Sequence, residues 1–226
     1  MRLLVFGATG RTGRRLTALA GQAGIAVHAA GRDPGKLAAL AGVATWSTVD
    51  VIDADATLKL IRSAEPDAIV SAVGGAFDGR FVDEVGNVAI SDAALSAGVR
   101  RLILVSSLAC GDSRAYASER LLAAIGPVLD AKTRAEDHLR RLDLDWTIIR
   151  PGGLTDGEAT GGGALYEDPR IHGRIACADL AELILACLTT AGTVRKVLSA
   201  VDRATLSGPS DPREFAATRF HSIAVP

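Results

Sequence analysis

The stretch Arg2-Leu3-Leu4-Val5-Phe6-Gly7-Ala8-Thr9-Gly10-Arg11-Thr12-Gly13-Arg14-Arg15 decides the fold. An apolar run with the character of a buried strand empties into three glycines at G-x-x-G-x-x-G spacing, and a helical pattern follows at once. Glycine lets backbone come close to a diphosphate, and a helix starting there aims its N–H groups and its positive dipole end at that anion. A glycine triplet alone is a weak signal. On a strand–turn–helix it becomes a dinucleotide-binding pattern, with Gly7, Thr9, Gly10, Arg11, Thr12 and Gly13 as the expected contacts. The alternative is a glycine turn that holds no ligand.

Working outward, short apolar runs alternate with helical patterns along the chain. Strands are expected at 3–6, 25–30, 44–49, 67–73, 101–106 and 146–150, with a further one at 196–200. Helices are expected at 11–22, 34–40, 54–63, 81–97, 127–141 and 178–190. Repeated βα alternation with near-continuous apolar strands predicts an α/β fold, a doubly wound Rossmann-like parallel sheet covered on both faces. Ligands of such sheets bind at the carboxyl ends of the strands. A single NAD(P)-binding domain over 1–226 is expected. Within it, the glycine-rich 152–163 stretch reads either as part of a substrate-covering region around 152–175 or as a plain surface loop. From 202 to 226 the pattern weakens.

Bulk properties narrow the function classes. The 226 residues suffice for one α/β domain with a real core, and 48% hydrophobic with 23% charged residues is an ordinary soluble composition. A net charge of -1 implies no polyelectrolyte partner, so no nucleic acid is expected. Cys110, Cys177 and Cys187 form no C-x-x-C pair, and with His28, His138, His172 and His221 they show no metal-ligand spacing. No metal and a reduced, cytoplasmic setting are expected. The first apolar run ends at Gly7, too short for a secretory segment or a membrane span. The expected partner is a small-molecule substrate, bound by a monomer or homodimer.

Three further places read as cofactor contacts. Arg32 follows the second strand, where an acidic residue favours a ribose 2′-hydroxyl and an arginine a 2′-phosphate. Such a charge-assisted bond is worth about 1.5–3 kcal/mol. Lys36 could add a second cation; alternatively Arg32 is a surface residue paired with Asp33. Asp50-Val51 ends the third strand, where the carboxylate either accepts from an adenine amino group or caps the following helix. Ala72-Val73-Gly74, at the end of the fourth strand, are small enough for close cofactor approach.

With Val105-Ser106-Ser107, Lys132 and Arg150-Pro151-Gly152-Gly153 added in order, the chain resembles the atypical short-chain dehydrogenase/reductase-like proteins. More narrowly it resembles the NAD(P)H-binding group of biliverdin reductase B/flavin reductase-like and NmrA-like proteins. The resemblance implies that Pro151, Gly152 and Gly153 touch the cofactor and that Lys132 holds the nicotinamide ribose. It places Ser106 and Ser107 facing substrate, where either hydroxyl could donate. Lys132 could instead form a surface pair with Glu136, one turn on. The family's usual Tyr-x-x-x-Lys acid is missing, because Val128 stands in the tyrosine position, Tyr116 lies too far upstream and Tyr166 falls in the glycine-rich region. His172, beyond the glycine-rich stretch, either reaches the site or faces solvent, and Cys110 is expected to fill space.

The expected function is an NADP(H)-dependent oxidoreductase, with NAD(H) possible, that reduces a flavin-, quinone- or tetrapyrrole-like acceptor. Such acceptors take their proton from solvent and do without the tyrosine. Ser106, Ser107 and Lys132 are the candidate catalytic residues. The alternative is a non-catalytic NmrA-like redox sensor. An epimerase or dehydratase ranks below both.

Overall fold

The structure, a computed structural model, describes residues 1–77 and 79–216. Its strands are β1 (Arg2–Phe6), β2 (Ala26–Gly31), β3 (Thr45–Thr48), β4 (Ala68–Ser71), β5 (Ala76–Phe77), β6 (Arg80–Phe81), β7 (Arg101–Val105), β8 (Asp145–Pro151), β9 (Gly153–Thr155), β10 (Gly163–Tyr166), β11 (Arg174–Ala176), β12 (Lys196–Asp202) and β13 (Glu214–Phe215). The α-helices are α1 (Arg11–Gln22), α2 (Pro34–Ala38), α3 (Ala54–Ala64), α4 (Val82–Ser96), α5 (Glu119–Arg141) and α6 (Cys177–Thr189).

The main sheet runs β13-β10-β12-β8-β7-β4-β1-β2-β3. From β3 to β12 all neighbours are parallel. Strand order reverses between β1 and β4, which opens a crevice at their carboxyl ends. Side chains of β1 show why its sequence is uniformly apolar. Leu3 and Val5 join the core under α1 and α6, while Leu4 and Phe6 join the opposite core, so both faces are buried.

The mostly parallel sheet is as expected, and four details differ. The sheet is not wholly parallel, because β10 and β13 add an antiparallel edge next to β12. Tyr166 therefore lies in a strand, 3% exposed and packed with Leu108, Ile171 and Val201, rather than in a loop. The helix expected from 127 begins at Glu119, with the Ser118 hydroxyl accepting from Leu121 N at 3.3 Å. Pro127 is tolerated inside it because the carbonyl left without a donor, that of Ala123, belongs to an exposed residue that water can serve. Asp50 does not cap α3. Asp53 does, accepting from Ala56 N at 2.9 Å, while Asp50 closes a local turn on Ile52 N at 3.1 Å.

The 202–216 segment forms a short 3-10 turn and β13, and residues 217–226 of the weakly patterned terminus lie outside the described ones. Among the described residues no helix is long and apolar enough to cross a membrane.

Gly21 tests how closely α1 packs. Inside a helix alanine normally outranks glycine by about 1 kcal/mol. Here an added Cβ would lie 2.4 Å from the Gly42 Cα and 2.5 Å from its oxygen. Overpacking of this kind costs about 1–3 kcal/mol and outweighs the propensity gain. Gly21→Ala is expected to lower stability in chemical denaturation; a stabilised variant would show that the Gly42 turn yields.

Candidate active site

Two cavities meet at the carboxyl ends of the parallel strands. The larger, about 720 Å³, is floored by Gly10, Arg11, Thr12 and Gly13. Its walls are Ala72, Val73 and Gly74 after β4, Val105 to Leu108 at the end of β7, and Pro151 to Leu154 after β8. Lys132, Leu121 and Ile125 of α5 close another side, and His172 and Gly173 complete the lining. The smaller, about 240 Å³, is lined by Gly7, Thr9 and Gly10, by Ala30 to Arg32, by Val49 to Val51, and by Ala72 to Gly75 with Val82. Gly10, Ala72, Val73 and Gly74 belong to both, so the two form one cleft across the crevice.

The three glycines are not equivalent. Gly7 has φ +76, and a Cβ there would sit 2.6 Å from the Ala72 oxygen. At Gly13 a Cβ would sit 2.2 Å from the Gly7 oxygen. Both are demanded by the protein's own packing. Gly10 has φ -72 and meets just the Gly7 oxygen, at 3.2 Å. As the N-cap of α1 it supplies no side-chain bond to the first-turn amides. An uncapped helix start that lines a cleft fits a diphosphate.

Around this floor the charged groups take partners the sequence does not announce. Lys132 Nζ lies 2.7 Å from Asp83 Oδ1, and Asp83 is 1% exposed. The other oxygen of Asp83 accepts from Gly75 N at 2.7 Å, tying α4 to the loop after β4. Glu136 is not the surface partner of Lys132. It is 1% exposed and takes the Arg150 guanidinium, with Nη2 at 2.6 Å and Nε at 3.1 Å. The Ser106 hydroxyl donates to the same carboxylate, and Arg150 reaches Asp112 with its remaining nitrogen. Burial opposes the charge on Arg150, but the hydrogen bonds and charges of Glu136 and Asp112 outweigh it and raise its pKa.

Ser107 lines the larger cavity beside Ser106. His172 also lines it, in keeping with the reading in which it reaches the site. Lys36 lines neither cavity and pairs with Asp33 at 3.7 Å, while Asp33 also caps α2. Arg11 lies on the floor, and its guanidinium reaches Asp156 at 3.3 Å across the cleft. Arg15 donates to the Gly157 oxygen at 3.3 Å. Cys110 is fully buried, its thiol pushed up to about 11 first by burial and then by the Glu136 charge.

Asp83, the pairing of Arg150 with Glu136, and the apolar pair Leu121 and Ile125 escape the sequence reading. A signal existed for Glu136, which sits beside the buried Ala131, Ala135 and Leu139 on α5, a charge on an apolar face. For Asp83 the acidic first turn of α4 reads as an ordinary dipole contact.

The family model described as NAD(P)H-binding matches residues 7–191, and the chain belongs to that family. A solved structure of ChuY, an anaerobilin reductase from Escherichia coli O157:H7, is 34% identical, with 93% of this chain and 100% of that one covered at a TM-score of 0.83. The oxidoreductase ylbE of Lactococcus lactis is 26% identical over 89% of this chain and 91% of its own, at a TM-score of 0.79. An uncharacterized chloroplastic protein of Arabidopsis thaliana is 30% identical over 221 residues, 90% of this chain and 77% of its own. The chain thus has an NAD(P)H-binding, oxidoreductase-like Rossmann fold.

Removing one member of a buried ion pair strands the other, at a cost of about 3–5 kcal/mol. Glu136→Ala is expected to lose stability of that order, read by denaturant unfolding. A loss below about 1 kcal/mol would mean that water reaches Arg150.

Proposed function

We propose that this chain is an NADP(H)-dependent oxidoreductase that reduces a flavin-, quinone- or tetrapyrrole-like acceptor. One observation carries the reading. Two adjoining cavities share Gly10 at the uncapped start of α1; one is lined by Arg32, the other by Lys132, Ser106 and Ser107 together with the apolar Leu121 and Ile125. The similarity to ChuY supports a reductase over the sensor alternative.

In this reading the smaller cavity takes the adenosine. Arg32 faces the 2′-phosphate, and Asp50 with Val51 faces the adenine. Gly10 and the first-turn amides of α1 take the diphosphate. Lys132, held by Asp83, donates to the nicotinamide ribose, and Pro151, Gly152 and Gly153 back the ring. A reduced nicotinamide bound there supplies the hydride. Ser107 donates to the acceptor as negative charge develops on it. Residues 152–175 cover the acceptor side, where β9 pairs with β11. With Val128 one turn before Lys132, no tyrosine protonates an alkoxide, so simple secondary alcohols are poor substrates.

Arg32→Ala is expected to erase most of a preference for NADPH over NADH of about one to two decades. Calorimetric dissociation constants for both cofactors check it; equal constants in the unmodified protein would sink the assignment.

A second pair of variants separates binding from chemistry. Lys132→Ala is expected to weaken cofactor binding chiefly, since an ammonium on ribose hydroxyls acts in ground and transition states alike. Ser107→Ala is expected to lower kcat about tenfold or more. Steady-state kinetics with NADPH and a panel of acceptors reads both. Tight NADPH binding without turnover on any acceptor would favour the sensor.

A further inference from the structure

A serine hydroxyl has one proton and two lone pairs. The Ser106 proton goes to Glu136, a carboxylate that can only accept. That carboxylate is fixed on its other side by Arg150, whose Nε lies 3.1 Å and 3.2 Å from the two oxygens and whose Nη2 lies 2.6 Å away. Glu136 and Arg150 are each 1% exposed, so no water competes for these positions. The backbone is shaped around the pair. Gly111 has φ +52, and a Cβ there would lie 2.3 Å from Arg150 Nη2. Ser106 itself is pinned, its N–H donating to the Ile149 oxygen at 2.8 Å. The neighbouring Cys110 thiol, hydrogen-bonded to Ser106 and pushed up to about 11, stays protonated at neutral pH, so it is no rival anion and takes at most one of the two Ser106 lone pairs. Ser106 is 6% exposed and lines the larger cavity, so a ligand that reaches its hydroxyl oxygen meets a lone pair.

We propose that Glu136 is a positioning residue that fixes Ser106 as a hydrogen-bond acceptor toward the cleft, so that the ligand atom meeting Ser106 is a donor. Ser107 is then the serine that donates. The inference rests on the reductase reading and narrows it. A flavin carries a ring N–H and a linear tetrapyrrole carries pyrrole and lactam N–H groups, whereas a quinone presents carbonyl oxygens alone. Opposite a serine that cannot turn its proton outward, a quinone carbonyl meets a lone pair and is disfavoured. The selected acceptor class is the N–H-bearing heterocycle.

The test uses the full chain with NADPH and three acceptors: flavin mononucleotide, biliverdin and menadione. In Ser106→Ala the ratio of kcat/KM for flavin mononucleotide or biliverdin to that for menadione is expected to fall about tenfold, through KM. Glu136→Gln, whose amide can donate to Ser106 and release its proton, is expected to lower the same ratio. In a Ser106→Ala background it is expected to lower it no further, because a residue acting through Ser106 has no effect without it. Should Glu136→Gln not fold, Ser106→Ala leaves the ion pair intact and decides alone. A direct readout needs no acceptor. A slowly exchanging, downfield hydroxyl proton in the NMR spectrum of the unmodified protein is expected to vanish in Ser106→Ala and persist in Ser107→Ala. An unchanged ratio in Ser106→Ala, or no such resonance in the unmodified protein, overturns the proposal. If the unmodified protein oxidises NADPH with none of the three, the reductase reading fails, and the resonance alone decides whether Glu136 holds the Ser106 proton.

Discussion

The cleft depends on one close approach of backbone to backbone. Where β1 turns into α1, the Gly13 α-carbon lies so near the Gly7 carbonyl that a side chain there would sit 2.2 Å from its oxygen. Gly7 in turn lies against the Ala72 carbonyl, the first residue after β4. That stacking sets α1 directly over the crevice and aims its first turn into it. It also brings the ends of β1 and β4 together, which is why Gly10, Ala72, Val73 and Gly74 serve both cavities. Loosening the corner would separate the smaller cavity, lined by Arg32 and Asp50, from the larger one that holds Lys132 and the serines.

Two buried carboxylates then shape the polar end of the site. Asp83 and Glu136 are each 1% exposed, and each holds a group that faces the cavity: an ammonium in one case, a hydroxyl in the other. Burying a charge is costly unless it is paired and hydrogen-bonded. Both carboxylates meet that condition, Asp83 with Lys132 and the Gly75 amide, Glu136 with Arg150 and Ser106. Hydrophobic replacements of similar volume often match such pairs in stability. Their value here lies in orientation, since neither Lys132 nor Ser106 is left to choose its own direction.

The sequence made the frame legible because the frame is written in local periodicity. Apolar runs ending in glycine, followed by helical spacing, located β1, α1, β4 and the floor of the cleft. That Arg32, Asp50 and the glycines after β8 line the cavities was legible for the same reason, as each follows a strand. What stayed hidden depends on contacts distant in the chain. Asp83 reaches Lys132 from another helix, and nothing near residue 83 marks it. Glu136 pairs with Arg150 on β8, so the i,i+4 arithmetic that suggested Lys132 as its partner was overridden by packing. Tyr166 and the antiparallel edge were missed because glycines at 161 to 163 read as loop, although they lead directly into a strand. The start of α5 was missed because proline normally marks a first turn, and its exposed position allowed an interior one.

The segment after β9 bends back over the start of α1 and is held there by Arg11 with Asp156 and Arg15 with Glu158. These partners are 47% and 68% exposed in the first pair, 41% and 92% in the second. Exposed pairs of this kind contribute about 0–1 kcal/mol and weaken as salt rises. A few residues further on, Thr160 and Gly161 are anchored far more firmly, by bonds of 2.9–3.1 Å to the buried Asp179. The strip is therefore fastened unequally: raising the ionic strength weakens its hold on α1 and leaves its hydrogen bonds to Asp179 in place.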